Sequence, residues 1–242
     1  MSIFGLLSAP LAVLLLAGPA SADLLTFSSR PAFDATAPGL PVETFEASPA
    51  PIFVVCPSPV SSSAASACFP LGALLPGVVY SASGAANTQL NVLGPGFGGG
   101  LPGATNGNSS KIFGPNNSLA TLDVTFSAGV SAVGFDAFPG PLAGNIAISL
   151  FSPNNDLFGT SIIPANVGPN FFGVVSTADL IGRVNIEGQS FVPFEAIDNL
   201  AFGTATVPVP EPSSLLLSAG GLAIIVGLRR LKELRNRRSI PN

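Results

Sequence analysis

Any chemistry in this chain has to be done without an imidazole, because its 242 residues include no histidine. Ser-His-Asp and Cys-His nucleophiles and His-ligated metal centres are therefore excluded. Carboxylates remain. Glu43, Glu46, Asp123, Asp136, Glu195 and Asp198 form the pool from which a glycosidase-type pair of acid and base would be drawn. The setting argues against that use and against an enzyme. The chain has no tryptophan and one tyrosine, whereas clefts that hold sugar rings rely on such faces. Asp123 and Asp136 stand at alternate positions of amphipathic stretches, where solvent-facing charges are expected. Asn154, Asn155 and Asp156 read as turn chemistry after Ser152-Pro153. The glycine-rich stretch at 94–107 opens with GPGFGGG, which lacks the lysine and the strand-to-helix setting of a phosphate loop.

A different constellation stands near the C-terminus. Pro210, Glu211 and Pro212 precede an uncharged apolar run, Ser213 to Leu228, and a basic tail that opens with Arg229 and Arg230. As a helix the run would extend about 24 Å at ~1.5 Å per residue, somewhat short of a ~30 Å hydrocarbon core. It can still span, because Arg229 and Arg230 can lay their stems along lipid and keep their charges among headgroups. Six of the nine Lys and Arg residues fall in the last 14 positions. The positive-inside bias therefore places this end in the cytoplasm and everything before Pro212 outside. The two prolines hold the preceding chain extended, a form a processing enzyme can grip. Triplet, apolar run and basic tail in that order resemble the PEP-CTERM sorting signal of Gram-negative bacteria. The resemblance implies recognition by an exosortase, a membrane-embedded cysteine transpeptidase that cuts near the triplet and passes the upstream domain to the cell exterior. The competing reading is a simple single-span anchor of an envelope protein.

At the other end, residues 1–22 carry an apolar core from Leu11 to Ala17 and then Ala20-Ser21-Ala22, a small-x-small cleavage pattern, so a signal peptide cut before Asp23 is expected. The expected organisation is a signal peptide (1–22), an exported domain (23–206), a linker with the Pro-Glu-Pro motif (207–212), a transmembrane helix (213–228) and a basic cytoplasmic tail (229–242). The exported part carries eleven acids against Arg30, Lys111 and Arg183, a net −8, which argues against nucleic acid as a partner. Cys56 and Cys68 are the only cysteines. In an exported domain they are expected to form a disulfide worth about 3 kcal/mol for a loop of this length.

The elements that must position these residues are mostly strands. Leu122, Val124 and Phe126 alternate with Asp123 and Thr125, and Val133, Phe135 and Ala137 alternate around Asp136. NIAISLF and LFGTSII flank the Ser152–Asp156 turn as a hairpin. FFGVVS, IGRVNIEG and AIDNLAFG supply three more strands. Earlier, a short helix is expected at about 30–37, opened by Ser29 and Pro31, with strands at 23–27, 42–46, 78–82 and 89–93. Short strands separated by Gly, Pro and Asn turns indicate an all-β fold, an antiparallel β-sandwich, jelly-roll-like.

Over roughly 80 residues the later strands resemble the β-sandwich domains that often precede PEP-CTERM tails, and the closing Ile-Asp-Asn resembles the last strand of several sugar-associated jelly rolls. Hard cations take several oxygen ligands, and a jelly roll can bring its first and last strands together. On that topology and resemblance, Glu46 and Asp198 with Asn199 are candidate calcium ligands. The competing reading is that Asp198 and Asn199 bond backbone donors at a sheet end. The expectation is thus a non-enzymatic surface or extracellular-matrix protein associated with exopolysaccharide, with a calcium-dependent carbohydrate-binding module as the alternative.

Overall fold

The structure, a computed structural model, describes residues 24–84, 88–97, 105–189 and 195–205. The expected signal peptide (1–22), the Pro210-Glu211-Pro212 triplet, the apolar run with Arg229 and Arg230, and residues 98–104 of the glycine-rich stretch lie outside the described residues. Among those described, no helix is long and apolar enough to cross a membrane. The elements in chain order are β1 (Leu24–Phe27), α1 (Arg30–Thr36), β2 (Val42–Glu43), β3 (Phe53–Cys56), β4 (Val60–Ser61), β5 (Val78–Ser83), β6 (Leu90–Leu93) and β7 (Ile112–Pro115). They continue with β8 (Thr121–Val130), β9 (Ala132–Phe138), β10 (Gly144–Phe151), β11 (Leu157–Ala165), β12 (Asn170–Ser176), β13 (Ile181–Gly188) and β14 (Ala196–Gly203).

Two antiparallel sheets result. One runs β1-β12-β9-β14-β7-β6-β3, with β2 also on β14, and the other runs β11-β10-β13-β8-β5-β4. Period-two alternation sends Leu122, Val124 and Phe126 of β8 and Val133, Phe135 and Ala137 of β9 into one core shared by the sheets. An aromatic group of Phe45, Phe69, Tyr80 and Phe113, with ring centroids 5.1–6.2 Å apart, fills one region of it. The Cys56–Cys68 disulfide forms as expected, with Cα atoms 5.6 Å apart. Cys56 ends β3 at the edge of the larger sheet, and β4, at the edge of the smaller, follows four residues later across a cis Ser58–Pro59 bond. This side of the sandwich is therefore closed by a chain crossing and a covalent bond, and Cys68 carries its neighbour Phe69 into the aromatic group.

The outer face of the larger sheet is covered as well. Helix α1 opens after an extended Ser29 with Pro31 in its first turn, and its Phe33 is fully buried. That ring lies on two glycines, Gly134 of β9 and Gly173 of β12, which are register partners. A Cβ at either would stand 2.8 Å from the ring. Only glycines let the helix approach this closely. Farther along the same face, Leu93, Ile112, Phe138 and Ala196 form a second small core with Phe97 packed against it.

The expected sandwich, the helix and the strands from β8 to β14 are present. The stretch expected as a strand over 42–46 is one only at Val42–Glu43, and β3, β4 and β7 were not anticipated. Two site-related expectations are corrected. Asp123 and Asp136 point to the outer faces, as alternation requires, but they are not solvent-facing charges: Asp123 is buried, and both lie beneath arginines.

Candidate functional site

The exported domain has three cations, and each is committed to an acid: Arg30 to Asp136, Lys111 to Glu46 and Arg183 to Asp123. Two of these pairs converge on β14. The register of β14 against β9 shifts between Asp198 and Ala201, and Asn199 takes a positive φ of 51°. Such a bulge re-aims side chains within an otherwise regular strand. Asp198 and Asn199 therefore sit in mid-strand near the centre of the larger sheet, not at a sheet end.

The bulge is held from several sides. Ser110 Oγ donates to Asp198 Oδ2, and the Asn199 amide N–H donates to Asp198 Oδ1 at 2.7 Å. Asn199 Nδ2 donates to Asp136 Oδ2 at 2.8 Å. Arg30, at the start of α1, donates to the Asn199 carbonyl at 2.6 Å and lies over the Phe171 ring. Next to Ser110, the Lys111 backbone N–H donates to Glu46 Oε1 at 2.7 Å. The Lys111 ammonium donates to the carbonyls of Glu46 and Ser48 and stands 3.9 Å from Glu46 Oε2. Asp198 and Glu46 are thus held by the consecutive residues Ser110 and Lys111, one each. Burial pushes the Asp198 carboxyl up to about 6. The hydrogen bonds from Ser110 and Asn199 oppose that rise, and the nearby Asp136 and Glu46 charges add to it.

A cation at Glu46 and Asp198 would meet an occupied site. Both Asp198 oxygens and one Glu46 oxygen already accept hydrogen bonds, and Lys111 places a positive charge against two backbone carbonyls, the ligand type a hard cation uses. Among the described residues no three acidic, cysteine or histidine side chains are grouped as a metal set. The chemistry on display is charge neutralisation that ties the segment after β2 to the last strand.

The third pair belongs to the smaller sheet. Arg183 Nη1 donates to Asp123 Oδ1, and Asn185 Nδ2 and Ser83 Oγ donate to the same carboxylate. Arg183 also donates from Nε and Nη2 to Asn155 Oδ1 and lies 3.7 Å above the centroid of the Phe151 ring. Asn155, in the expected Ser152–Asp156 turn, is therefore an anchor for Arg183. Register places Ser81, Asp123, Asn185, Ser149 and Thr160 in one row across this outer face, so hydroxyl and amide groups flank the Asp123 carboxylate.

The other carboxylates of the pool serve the fold. Glu43 accepts the Phe45 and Leu75 N–H groups. Glu195 is fully buried and accepts the Gly188 N–H, and burial raises its carboxyl well above the usual range. An open recess of about 480 Å³ at one end of the sandwich is lined by Leu40, Pro41, Phe126, Val130 and Phe202 among others, with no titratable side chain. Phe138 and Phe172 are buried in packing. Sequence reasoning did not find Ser110, Lys111, Arg30 or Arg183 as partners. The signal was their scarcity, because a domain with three cations and eleven acids has few ways to neutralise the acids it buries.

The geometry defines an acidic, disulfide-closed β-sandwich held by three internal ion pairs. The tail supplies the rest: residues 208–230 match the family described as PEP-CTERM protein-sorting motif, so the chain carries that motif. The motif implies export, processing by an exosortase and transient membrane anchoring before surface localisation. No curated protein matches the chain. Among solved structures, a family 29 carbohydrate-binding module is 14% identical with a TM-score of 0.34, covering 57% of this chain and 90% of that one. A family 29 variant complexed with mannohexaose is 13% identical with a TM-score of 0.34, covering 54% and 85%. The enzymatically active domain of Bacteriophage CBA120 tailspike protein 4 is 18% identical with a TM-score of 0.32, covering 53% of this chain and 19% of that one.

Proposed function

We propose that the chain is a non-enzymatic surface or extracellular-matrix protein, sorted by an exosortase acting at Pro210-Glu211-Pro212 and associated outside the cell with exopolysaccharide. The observation that carries this reading is the PEP-CTERM match at 208–230, which follows directly on a closed sandwich ending at Gly203. Ser213 to Leu228 insert in the membrane before cleavage, and Arg229 and Arg230 fix the orientation. Replacing Pro210 and Glu211 by alanine leaves the protein full-length in the inner membrane. Release of the variant in trimmed form would overturn the sorting reading and favour other processing.

The polysaccharide association rests on chemistry. The outer face of the smaller sheet offers hydroxyl and amide groups around a neutralised Asp123–Arg183 pair, and a domain of net −8 suits a neutral glycan better than a polyanion. Lys111 already sets its charge against Glu46 and the carbonyls of Glu46 and Ser48, and the Asp198 oxygens already accept hydrogen bonds from Ser110 and Asn199, so the association is independent of calcium. Co-sedimentation of residues 23–206 with the host's exopolysaccharide, in calcium and again in chelator, tests this. Equal binding in both is expected. Loss of binding in chelator would instead support the calcium-dependent carbohydrate-binding module, with Glu46 and Asp198 as ligands, and no binding in either would overturn the exopolysaccharide partner.

A further inference from the structure

The sandwich has a closed side and an open one. On the closed side the sheet edges are β3 and β4, four and two residues long and linked by a short crossing; on the open side they are β1, of four residues, and β11, of nine. Strand β11 is paired through its length with β10 and has no ladder partner on its other side among the described strands. A free edge is a row of unpaired N–H and C=O groups, and proteins blunt such edges with charge, proline, bulges or brevity. Here the blunting is confined to the two ends. The pairing with β10 is irregular near Leu157, and Pro164 stands one residue before the strand finishes. Between them, Gly159 to Ile163 form a regular edge. No charged side chain occurs anywhere from Leu157 to Ala178, and Ile162 is 61% exposed.

We propose that this edge pairs with the same edge of a second copy, antiparallel about a two-fold axis at Thr160 or Ser161, so that two six-stranded sheets become one of twelve. Charge selects a second copy as the occupant. The exported domain is strongly acidic, so two copies repel over most of their surfaces, and the strand without charges is where they can approach without like charges meeting. Length and symmetry agree. An antiparallel ladder about a two-fold is self-complementary and closes at two chains, and none of the other three edges is long enough to form one of comparable extent. The inference is independent of the sorting and polysaccharide readings.

Cysteine cross-linking of the full-length protein, purified in detergent, tests it. On the axis a residue faces its own copy with Cα atoms about 4.5–5.5 Å apart, within disulfide range. Depending on register, Thr160→Cys or Ser161→Cys should give a disulfide-linked species of twice the chain mass under mild oxidation. The control, Leu25→Cys on the edge strand β1, should give far less. Adding Ile162→Lys to the cross-linking variant puts into the exposed edge the kind of charge by which proteins blunt free strands, once in each copy on the same face of the joined sheet, and should abolish the dimer. Ile162 is exposed, so the yield of folded protein with its native disulfide should be unchanged. Absence of dimer from both cysteine positions would overturn the proposal, as would equal dimer from Leu25→Cys, persistence of the dimer with Ile162→Lys, or a cross-linked partner of another mass.

Discussion

Asp198→Asn should change how the stability of the domain depends on pH, and the size of the change follows from where the carboxyl sits. Its value is pushed from 3.8 to about 6, chiefly by burial. A shift of about 2 units corresponds to roughly 3 kcal/mol at ~1.4 kcal/mol per unit. The sign is opposite to that of a salt-bridged acid. The folded state holds this proton more tightly than the unfolded chain, so stability due to Asp198 is greatest below about pH 4. It falls as pH rises through the interval from 3.8 to about 6, and is level above it. Asparagine cannot ionise and removes that fall. Urea denaturation of residues 23–206, wild type and variant, between pH 4 and 7 isolates the effect, since other titrating groups are common to both proteins. The variant should be equal to or slightly less stable than wild type at pH 4, because the contact with Ser110 must rearrange. Relative to wild type it should gain about 2–3 kcal/mol by pH 7. A stability difference that does not vary with pH would refute the reasoning. Calcium adds a further arm: an ion bound at Asp198 would lower its proton affinity, and the variant's relative gain at pH 7 would vanish when calcium is added.

Other perturbations reach other parts of the design. Gly134→Ala or Gly173→Ala drives a methyl into the Phe33 ring and should cost about 1–3 kcal/mol, read as a lower urea midpoint with an unchanged slope. Arg183→Ala leaves Asp123 buried with only Asn185 and Ser83 as donors and should cost about 3 kcal/mol or more near neutral pH. A urea midpoint equal to that of the wild type would count against the ion pair as a contact that holds the fold. Replacing Cys56 and Cys68 by serine should cost about 3 kcal/mol, measured by the same denaturation, and reductant should have no further effect on that variant.

The sheets were legible where one face meets the core and the other meets polar groups. From Thr121 onward alternation marks β8 to β14 with little ambiguity, and the turn at Ser152–Asp156 marks the hairpin between β10 and β11. The same reasoning fails at β7. Ile112 to Pro115 are all buried, because Phe97 and Phe138 cover the side that would otherwise be polar, and Gly114 and Pro115 look like loop residues. Strand β3 is four apolar or sulfur-bearing residues with no polar partner to set a period. Alternation also says which face a residue points to but not what lies above it. That is why Asp123 and Asp136 were placed on the correct faces and yet expected in water. The convergence of Glu46 and Asp198 followed from their places near the first and last strands. Their respective partners, Ser110 for Asp198 and Lys111 for Glu46, did not, since they lie in a connection without periodic pattern, 88 and 65 residues away in sequence.

The position of β14 also has a consequence for the order of events during synthesis. This strand, the last of the described domain, lies between β9 and β7 in the interior of the larger sheet. Until it arrives, β1-β12-β9 and β7-β6-β3 are separate ribbons with no common neighbour in that sheet, and contacts between such distant segments are slow to form. A chain crossing the membrane from its N-terminus therefore keeps half of its sandwich unassembled until Ala196–Gly203 has emerged. Gly203 lies five residues ahead of the sorting motif that begins at 208. Completion of the fold and arrival of the sorting tail at the membrane are thereby confined to one short interval, and the loosely joined state that translocation requires persists almost until it is no longer needed.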